Sequence, residues 1–172
     1  MLPLLAETVL TPEEDTLLGA LRMIEPGIER IATIGAARRR LGGYPRGGVA
    51  VKLAGQRVPI GSLGDGIWRL LGIALALVRA RGGVLLVDEI DTGLHYSVLE
   101  KMWRLVHETA NRLDVQVFAT THSRDCYESL AAIAHPGGHD VTIQRIERGK
   151  PVAVAFSEAE IVQAAKRGIE VR

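Results

Sequence analysis

Two adjacent carboxylates, Asp88 and Glu89, follow directly on four aliphatic residues, Val84-Leu85-Leu86-Val87, and a third acid, Asp91, lies two positions further on. An apolar run that delivers negative charge to its own tip needs something to offset the electrostatic cost. A divalent cation does so: Mg²⁺ takes hard oxygen ligands in octahedral array, directly or through water. The neighbouring acid can then orient or deprotonate an attacking water. An acid pair that simply ends a strand in solvent would look the same taken alone, and two further stretches weigh against that reading.

The first is Val117-Phe118-Ala119-Thr120-Thr121-His122-Ser123, which repeats the same grammar of an apolar run ending in polar residues. If the two runs are neighbouring strands, His122 lies beside Glu89, where an imidazole can hydrogen-bond a terminal phosphate. The second is PIGSLGDGIWRLL, residues 59–71. Gly61, Gly64 and Gly66 bare their backbone N–H groups where a long helix begins, and helix N-termini bind phosphate oxygens. Taken alone, this stretch reads equally well as a glycine-rich turn capped by Ser62 or Asp65.

The elements that must position these groups follow from periodicity. Residues 67–81 are apolar on nearly every side, the mark of a buried helix, and Gly82-Gly83 ends it. Residues 84–87 form a continuous aliphatic run, expected of a strand covered on both faces. Residues 95–113 are amphipathic, with Val98, Leu99, Met102, Trp103, Val106 and Ala110 on one face. Residues 115–119 read as a second buried strand, and Ser123 as the cap of a helix over 124–134. The order helix, strand, helix, strand, helix implies a parallel sheet with helices on both sides. Acids at the carboxyl end of such a strand stand where open α/β sheets place their ligands.

Around this centre, Thr11, Pro12 and Glu14 read as N-cap, N1 and N3 of a helix that Pro26 stops. Residues 49–53 and 57–60 read as a hairpin around Gly55, and 141–146 and 151–155 as another around Gly149. Ser157 with Glu160 forms a capping box for a last helix, which Gly168 ends. The division expected is a helical and β-hairpin lobe over residues 1–60 and an α/β portion over 61–172.

At 172 residues, 47% apolar and 24% charged, the chain suits one globular domain. A formal charge of +1 gives no global field that would favour nucleic acid or membrane. One cysteine, Cys126, excludes an internal disulfide framework and fits a reducing compartment. The apolar stretch 67–80 contains Arg69 and Arg79 and is too short to span a bilayer. The first ten residues lack the basic region of a signal peptide. A cytoplasmic protein is expected.

Together the three stretches resemble the ABC/SMC class of P-loop ATPases, and within it the bacterial AAA family ATPases related to the overcoming-lysogenization-defect group. Leu63-Gly64-Asp65-Gly66 resembles the family's signature loop, residues 84–89 its Walker B strand, Asp91-Thr92-Gly93-Leu94-His95 its D-loop, and His122 its switch histidine. The likeness is firm over residues 59–125 and loose on either side. It implies a partial P-loop NTPase fold, with ATP and Mg²⁺ as ligands. Asp88 would bind the metal, and Glu89 and His122 would act in catalysis. Ser62, Gly64, Asp65, Gly66 and Asp91 would serve at the nucleotide or subunit contact of a dimer.

Two departures matter. The signature loop usually carries serine after its leucine; here Gly64 stands there and Ser62 is out of register, leaving backbone amides for the role. No G-x-x-x-x-G-K-[ST] occurs anywhere in the 172 residues. The expectation is therefore the Walker B half of a Mg²⁺-dependent ATPase, weak or inactive alone and completed by a homodimer or a P-loop-bearing partner. A cropped product, a split enzyme and a non-catalytic relic are the explanations, ranked in that order. The alternative is a non-hydrolytic interaction module, or an accessory to a DNA-processing or phage-defence system.

Smaller features read more plainly. Ala37-Arg38-Arg39-Arg40 with Arg46 and Tyr44 suits a solvated loop better than a phosphate contact. His135 and His139 frame Pro-Gly-Gly, which forbids the helix that their spacing would need to hold a metal. Cys126, Trp68 and Trp103 suit a core, and Ser62 and Ser123 lack the paired base of a hydrolase.

Overall fold

A helix with Pro3 in its first turn opens the chain: α1, Leu2–Thr8, buries Leu5. The computed structural model describes residues 1–34, 48–135, 137, 138 and 140–168; the arginine-rich loop with Tyr44 and His139 lie outside them. Helix α2, Glu14–Arg22, begins later than its expected start at Thr11. The Thr11 hydroxyl donates to the Thr8 carbonyl at 2.7 Å, and the Glu14 carboxylate accepts the Leu10 N–H at 2.7 Å. Both groups thus secure the turn before the helix.

Three antiparallel strands follow, in the order β1 (Ile28–Thr33), β2 (Val49–Leu53) and β3 (Gln56–Pro59). The hairpin expected around Gly55 is therefore two strands of a three-stranded sheet. Leu53 pairs with Gln56, so Ala54 and Gly55 form a two-residue turn with φ of 48° and 76°. Positive φ at both positions matches the right-handed twist of the strands. A Cβ on Gly55 would meet nothing within 4 Å, so the cost of any side chain there is purely backbone. Gly55→Ala should lower stability by about 1 kcal/mol in urea unfolding, with an unchanged m-value.

Helix α3, Asp65–Arg79, buries Ile67, Leu70, Leu71, Ile73, Ala74, Leu75 and Leu77. It lies between α2 and α4 (Leu99–Leu113), which explains why it is apolar almost all round. Strand β4 (Val84–Val87) pairs in parallel with β5 (Gln116–Ala119), Val84 opposite Gln116 and Val87 opposite Ala119. Helix α4 is the crossover between them, entered through a short 3₁₀ turn at Tyr96–Val98. This arrangement, with helices packed on a parallel pair, is the α/β class that the element order implies.

One expectation is corrected. Residues 84–87 read as a strand covered on both faces, but only one face is covered. Leu85, Val87 and Val117 pack on the core, whereas Val84, Leu86 and Phe118 are 56%, 74% and 54% exposed. A strand with apolar residues on both faces specifies two packing partners, and the described residues supply one.

Helix α5 (Arg124–Leu130) is capped by Ser123, whose hydroxyl accepts the Cys126 N–H at 3.3 Å. It is shorter than expected and ends in turns. Strands β6 (Ile143–Arg145) and β7 (Val154–Phe156) pair antiparallel, also shorter than expected. Helix α6 (Glu158–Arg167) has the anticipated Ser157–Glu160 capping box and ends at Gly168 with φ of 62°. One apolar cluster runs from Leu5 through α2, the antiparallel sheet, α3 and α4 to Ile133, drawing on residues either side of position 60. Among the described residues, no helix is long and apolar enough to cross a membrane.

Candidate functional site

Beyond the last strand pair, Val87 opposite Ala119, the two chains continue side by side. The Thr120 N–H donates to the Val87 carbonyl at 2.9 Å and the Ile90 N–H to the Thr120 carbonyl at 3.0 Å. Asp88 and Glu89, both exposed, therefore stand against residues 120–121, and Ile90, fully buried, pins the turn to the core. His122 is exposed at the same strand tip, two residues beyond Thr120.

Each of the three acids meets a threonine hydroxyl. Thr120 Oγ1 donates to Asp88 Oδ1 at 2.5 Å and accepts the Glu89 N–H at 2.9 Å. Thr92 Oγ1 donates to Glu89 Oε2 at 3.0 Å. Thr121 Oγ1 donates to Asp91 Oδ1 at 2.5 Å and accepts the Ser123 N–H at 3.0 Å. A hydroxyl donor holds a carboxylate in place without neutralising it, so the charge stays available to a cation.

The backbone of the turn is held from the other side by Arg69 on α3. Its Nη2 donates to the Glu89 carbonyl at 2.6 Å and the Asp88 carbonyl at 3.1 Å, and its Nε to the Ile90 carbonyl at 3.4 Å. Glu89 has φ of 45°, unusual for a residue with a side chain.

The glycine-rich stretch approaches the same turn. Residues Ile60–Leu63 form a 3₁₀ turn in which the Ser62 hydroxyl donates to the Pro59 carbonyl at 2.7 Å. Gly64, with φ of 96°, precedes the first residue of α3, Asp65. A Cβ on Gly66 would lie 3.4 Å from the Gly93 carbonyl oxygen and 3.7 Å from Leu94 Cδ2. The start of α3 and the 91–95 segment thus pack closely, and Gly66 gives them the room.

Behind the site lies Cys126, fully buried in α5, whose carbonyl accepts the Trp103 Nε1 proton at 2.8 Å. Burial pushes the thiol up to about 11, a rise opposed by hydrogen bonding to Thr121 and reinforced by the nearby Asp91 charge. A thiol of that kind is inert. Ellman's reagent at pH 8 should leave the folded protein unmodified and titrate one thiol per chain after denaturation.

Thr92, Thr120, Thr121 and Arg69 were not singled out in the sequence. For the threonines a signal exists: Thr120-Thr121 end one strand where Asp88-Glu89 end the other, and a parallel register puts them abreast. Arg69 carries no such signal, because its role depends on the packing of α3. Among the described residues, no group of three or more His, Cys, Asp or Glu side chains gathers to hold an ion. Asp88 with its hydroxyl neighbour still fits Mg²⁺, which commonly takes one or two protein carboxylates and fills its shell with water and substrate phosphates.

Helices on a parallel strand pair, with acids at its carboxyl end, make this an α/β domain with a charged strand tip. Residues 34–125 match the model of the family described as "AAA domain, putative AbiEii toxin, Type IV TA system", and the chain belongs to that family. Over 83 residues, 46% of its length, it is 31% identical to an ATP/GTP phosphatase of Helicobacter pylori. It spans only 22% of that relative. Two solved structures share the fold. One comes from work on ATP-driven dimerization and DNA-stimulated activation of SMC ATPases: TM-score 0.55, 14% identity, 93% of this chain and 92% of that one. The other is the SmcHead bound to the C-winged helix domain of ScpA: TM-score 0.54, 18% identity, 88% of this chain and 43% of that one. The fold is that of P-loop NTPases, and the domain is of ATPase type.

Proposed function

We propose that these residues form the Walker B portion of a Mg²⁺-dependent ATPase, acting at a composite site that a P-loop from outside the 172 residues completes. The observation that carries this reading is the pairing of Asp88 and Glu89 with Thr120 at the tips of two parallel strands. Asp88 is the residue that would hold Mg²⁺, and the ion when bound supplies charge neutralisation on the phosphate oxygens. Glu89, one oxygen held by Thr92, takes the proton of the attacking water with the other. His122 donates to the terminal phosphate. The backbone N–H groups of residues 64–66 face the nucleotide of a second subunit, with Asp65 and Ser62 at the rim of that contact. Asp91, fixed by Thr121, orders the subunit contact.

ATP-driven dimerization is a property of the SMC ATPases that share this fold, and we carry it here as part of the proposal. The cytoplasm, with its ATP and its reducing conditions, suits the same reading. The test is turnover and binding by the purified chain. It should bind Mg²⁺-ATP weakly and hydrolyse it negligibly, and hydrolysis should appear when a P-loop-bearing segment is supplied. Strong turnover by the chain alone would contradict the composite site, and metal-nucleotide binding unaffected by Asp88→Asn would contradict the assignment of the acids.

The open apolar face at Val84, Leu86 and Phe118 favours a second reading, an interaction module without chemistry. Such a module would show no Asp88-dependent metal binding at all.

A further inference from the structure

From the shared hydroxyl at the strand tips, we infer that Thr120 is a positioning residue that sets both acids of the site at once. The inference deepens the ATPase reading above and rests on it.

The geometry is specific to this side chain. One oxygen, Thr120 Oγ1, gives its proton to the Asp88 carboxylate and receives the Glu89 N–H, at 2.5 and 2.9 Å. The proton is committed to the carboxylate and a lone pair to the amide, so the hydroxyl has one orientation that satisfies both. Its backbone is equally committed, with its N–H on Val87 and its carbonyl accepting from Ile90. Thr120 is therefore a rigid post, fixed by two ladder bonds, from which the side chain reaches across to the opposite strand.

That reach matters because the backbone at Glu89 does not rest where it is by preference. Its φ of 45° lies in the left-handed region, which a glutamate adopts only when its surroundings hold it there. Two groups do so, Thr120 on its N–H and Arg69 on its carbonyl. At this turn the two successive carboxylates meet different hydroxyls, Asp88 that of Thr120 and Glu89 that of Thr92, which lets them take different tasks from adjacent positions. If the N–H anchor is removed, the turn is free to relax and the Asp88 carboxylate loses the donor that fixes its plane. Carboxylates that bind metals lose affinity when such a supporting hydrogen bond is cut, typically by tenfold or more.

A valine is close in shape to threonine and lacks the hydroxyl, whereas serine keeps it. Thr120 is solvent-exposed, so Thr120→Val leaves the core untouched. Two measurements on the full chain, both independent of turnover, test the role. The first is amide hydrogen exchange at Glu89, which should quicken on the order of tenfold in Thr120→Val and stay near wild type in Thr120→Ser. The second is site-resolved line broadening of residues 88–90 by Mn²⁺ in the presence of ATP. The Mn²⁺ concentration giving half-broadening should rise roughly tenfold in Thr120→Val, and Thr120→Ser should restore it. A hydroxyl that merely stabilised the fold would change the melting temperature and leave this concentration where it was.

Asp88→Asn separates the two levels of the argument. Broadening lost in Asp88→Asn but unchanged in Thr120→Val overturns the role of Thr120 and leaves the ATPase reading standing. Broadening unchanged in Asp88→Asn overturns the ATPase reading, and the inference falls with it.

Discussion

On the proposed assignment of Glu89 as general base, Glu89→Gln should reduce ATP turnover, measured with a P-loop-bearing segment supplied, by a factor of about 10² to 10³, the range expected when such a base is replaced by a neutral isostere. Nucleotide affinity should change little, because glutamine keeps the side-chain length and still accepts the Thr92 hydroxyl that now meets Glu89 Oε2 at 3.0 Å. The expected signature is a fall in kcat with KM nearly constant, the mark of an interaction that matters in the transition state rather than in binding. Asp88→Asn should behave differently, raising the Mg²⁺ requirement as well as lowering the rate. If both substitutions gave the same KM-dominated loss, the two acids would not hold the separate roles assigned to them.

The second large effect concerns stability and lies away from the site. Glu158, the first residue of α6, is 3% exposed, and its carboxylate accepts three backbone N–H groups, from His135 at 2.6 Å, Asp140 at 2.8 Å and Val141 at 3.0 Å. It gathers the backbone of His135, Asp140 and Val141 around one anion. Gly138 permits the approach, since a Cβ there would fall 2.5 Å from Glu158 Oε2. Glu158→Ala leaves three donors without that acceptor and should cost about 3 kcal/mol, or roughly 10 °C in Tm.

The pH dependence follows in sign. Burial raises the carboxyl pKa, and the hydrogen bonds from His135, Val141 and Asp140 outweigh it, holding the group below the ordinary glutamate range. Its contribution is fully present above the ordinary, unfolded-state value and is lost as pH falls through the lowered native one. The gap in Tm between wild type and Glu158→Gln should therefore be widest near neutrality and close as the solution is acidified. A gap that widened in acid would mean that the protonated form is the one being stabilised.

How much of this was legible beforehand depends on whether a segment's pattern is local. The hairpin around Gly55, the Ser123 cap and the Ser157–Glu160 box are set by near neighbours, and all are found where the residues suggest. Strand β1 is not of that kind. Its buried residues are Ile28 and Ile31, three apart, because a bulge between Ile28 and Arg30 shifts the register; a period of two is absent from the sequence. Helix α1 is only seven residues long and too short to show a repeat. At the site, the acids and the histidine stand out by residue type, whereas the threonines that hold the acids are unremarkable until the strands are laid side by side. Arg69 is further still from view, since a salt-bridging surface arginine and one that clamps three carbonyls look alike in a helix.

The uncovered side of the β4–β5 pair has a practical consequence for anyone handling the protein. Val84, Leu86 and Phe118 present a greasy ridge flanked by strand edges, the combination that templates cross-chain β pairing. Concentrated stocks should self-associate, and a lysine in place of Leu86, the most exposed of the three, should keep them dispersed.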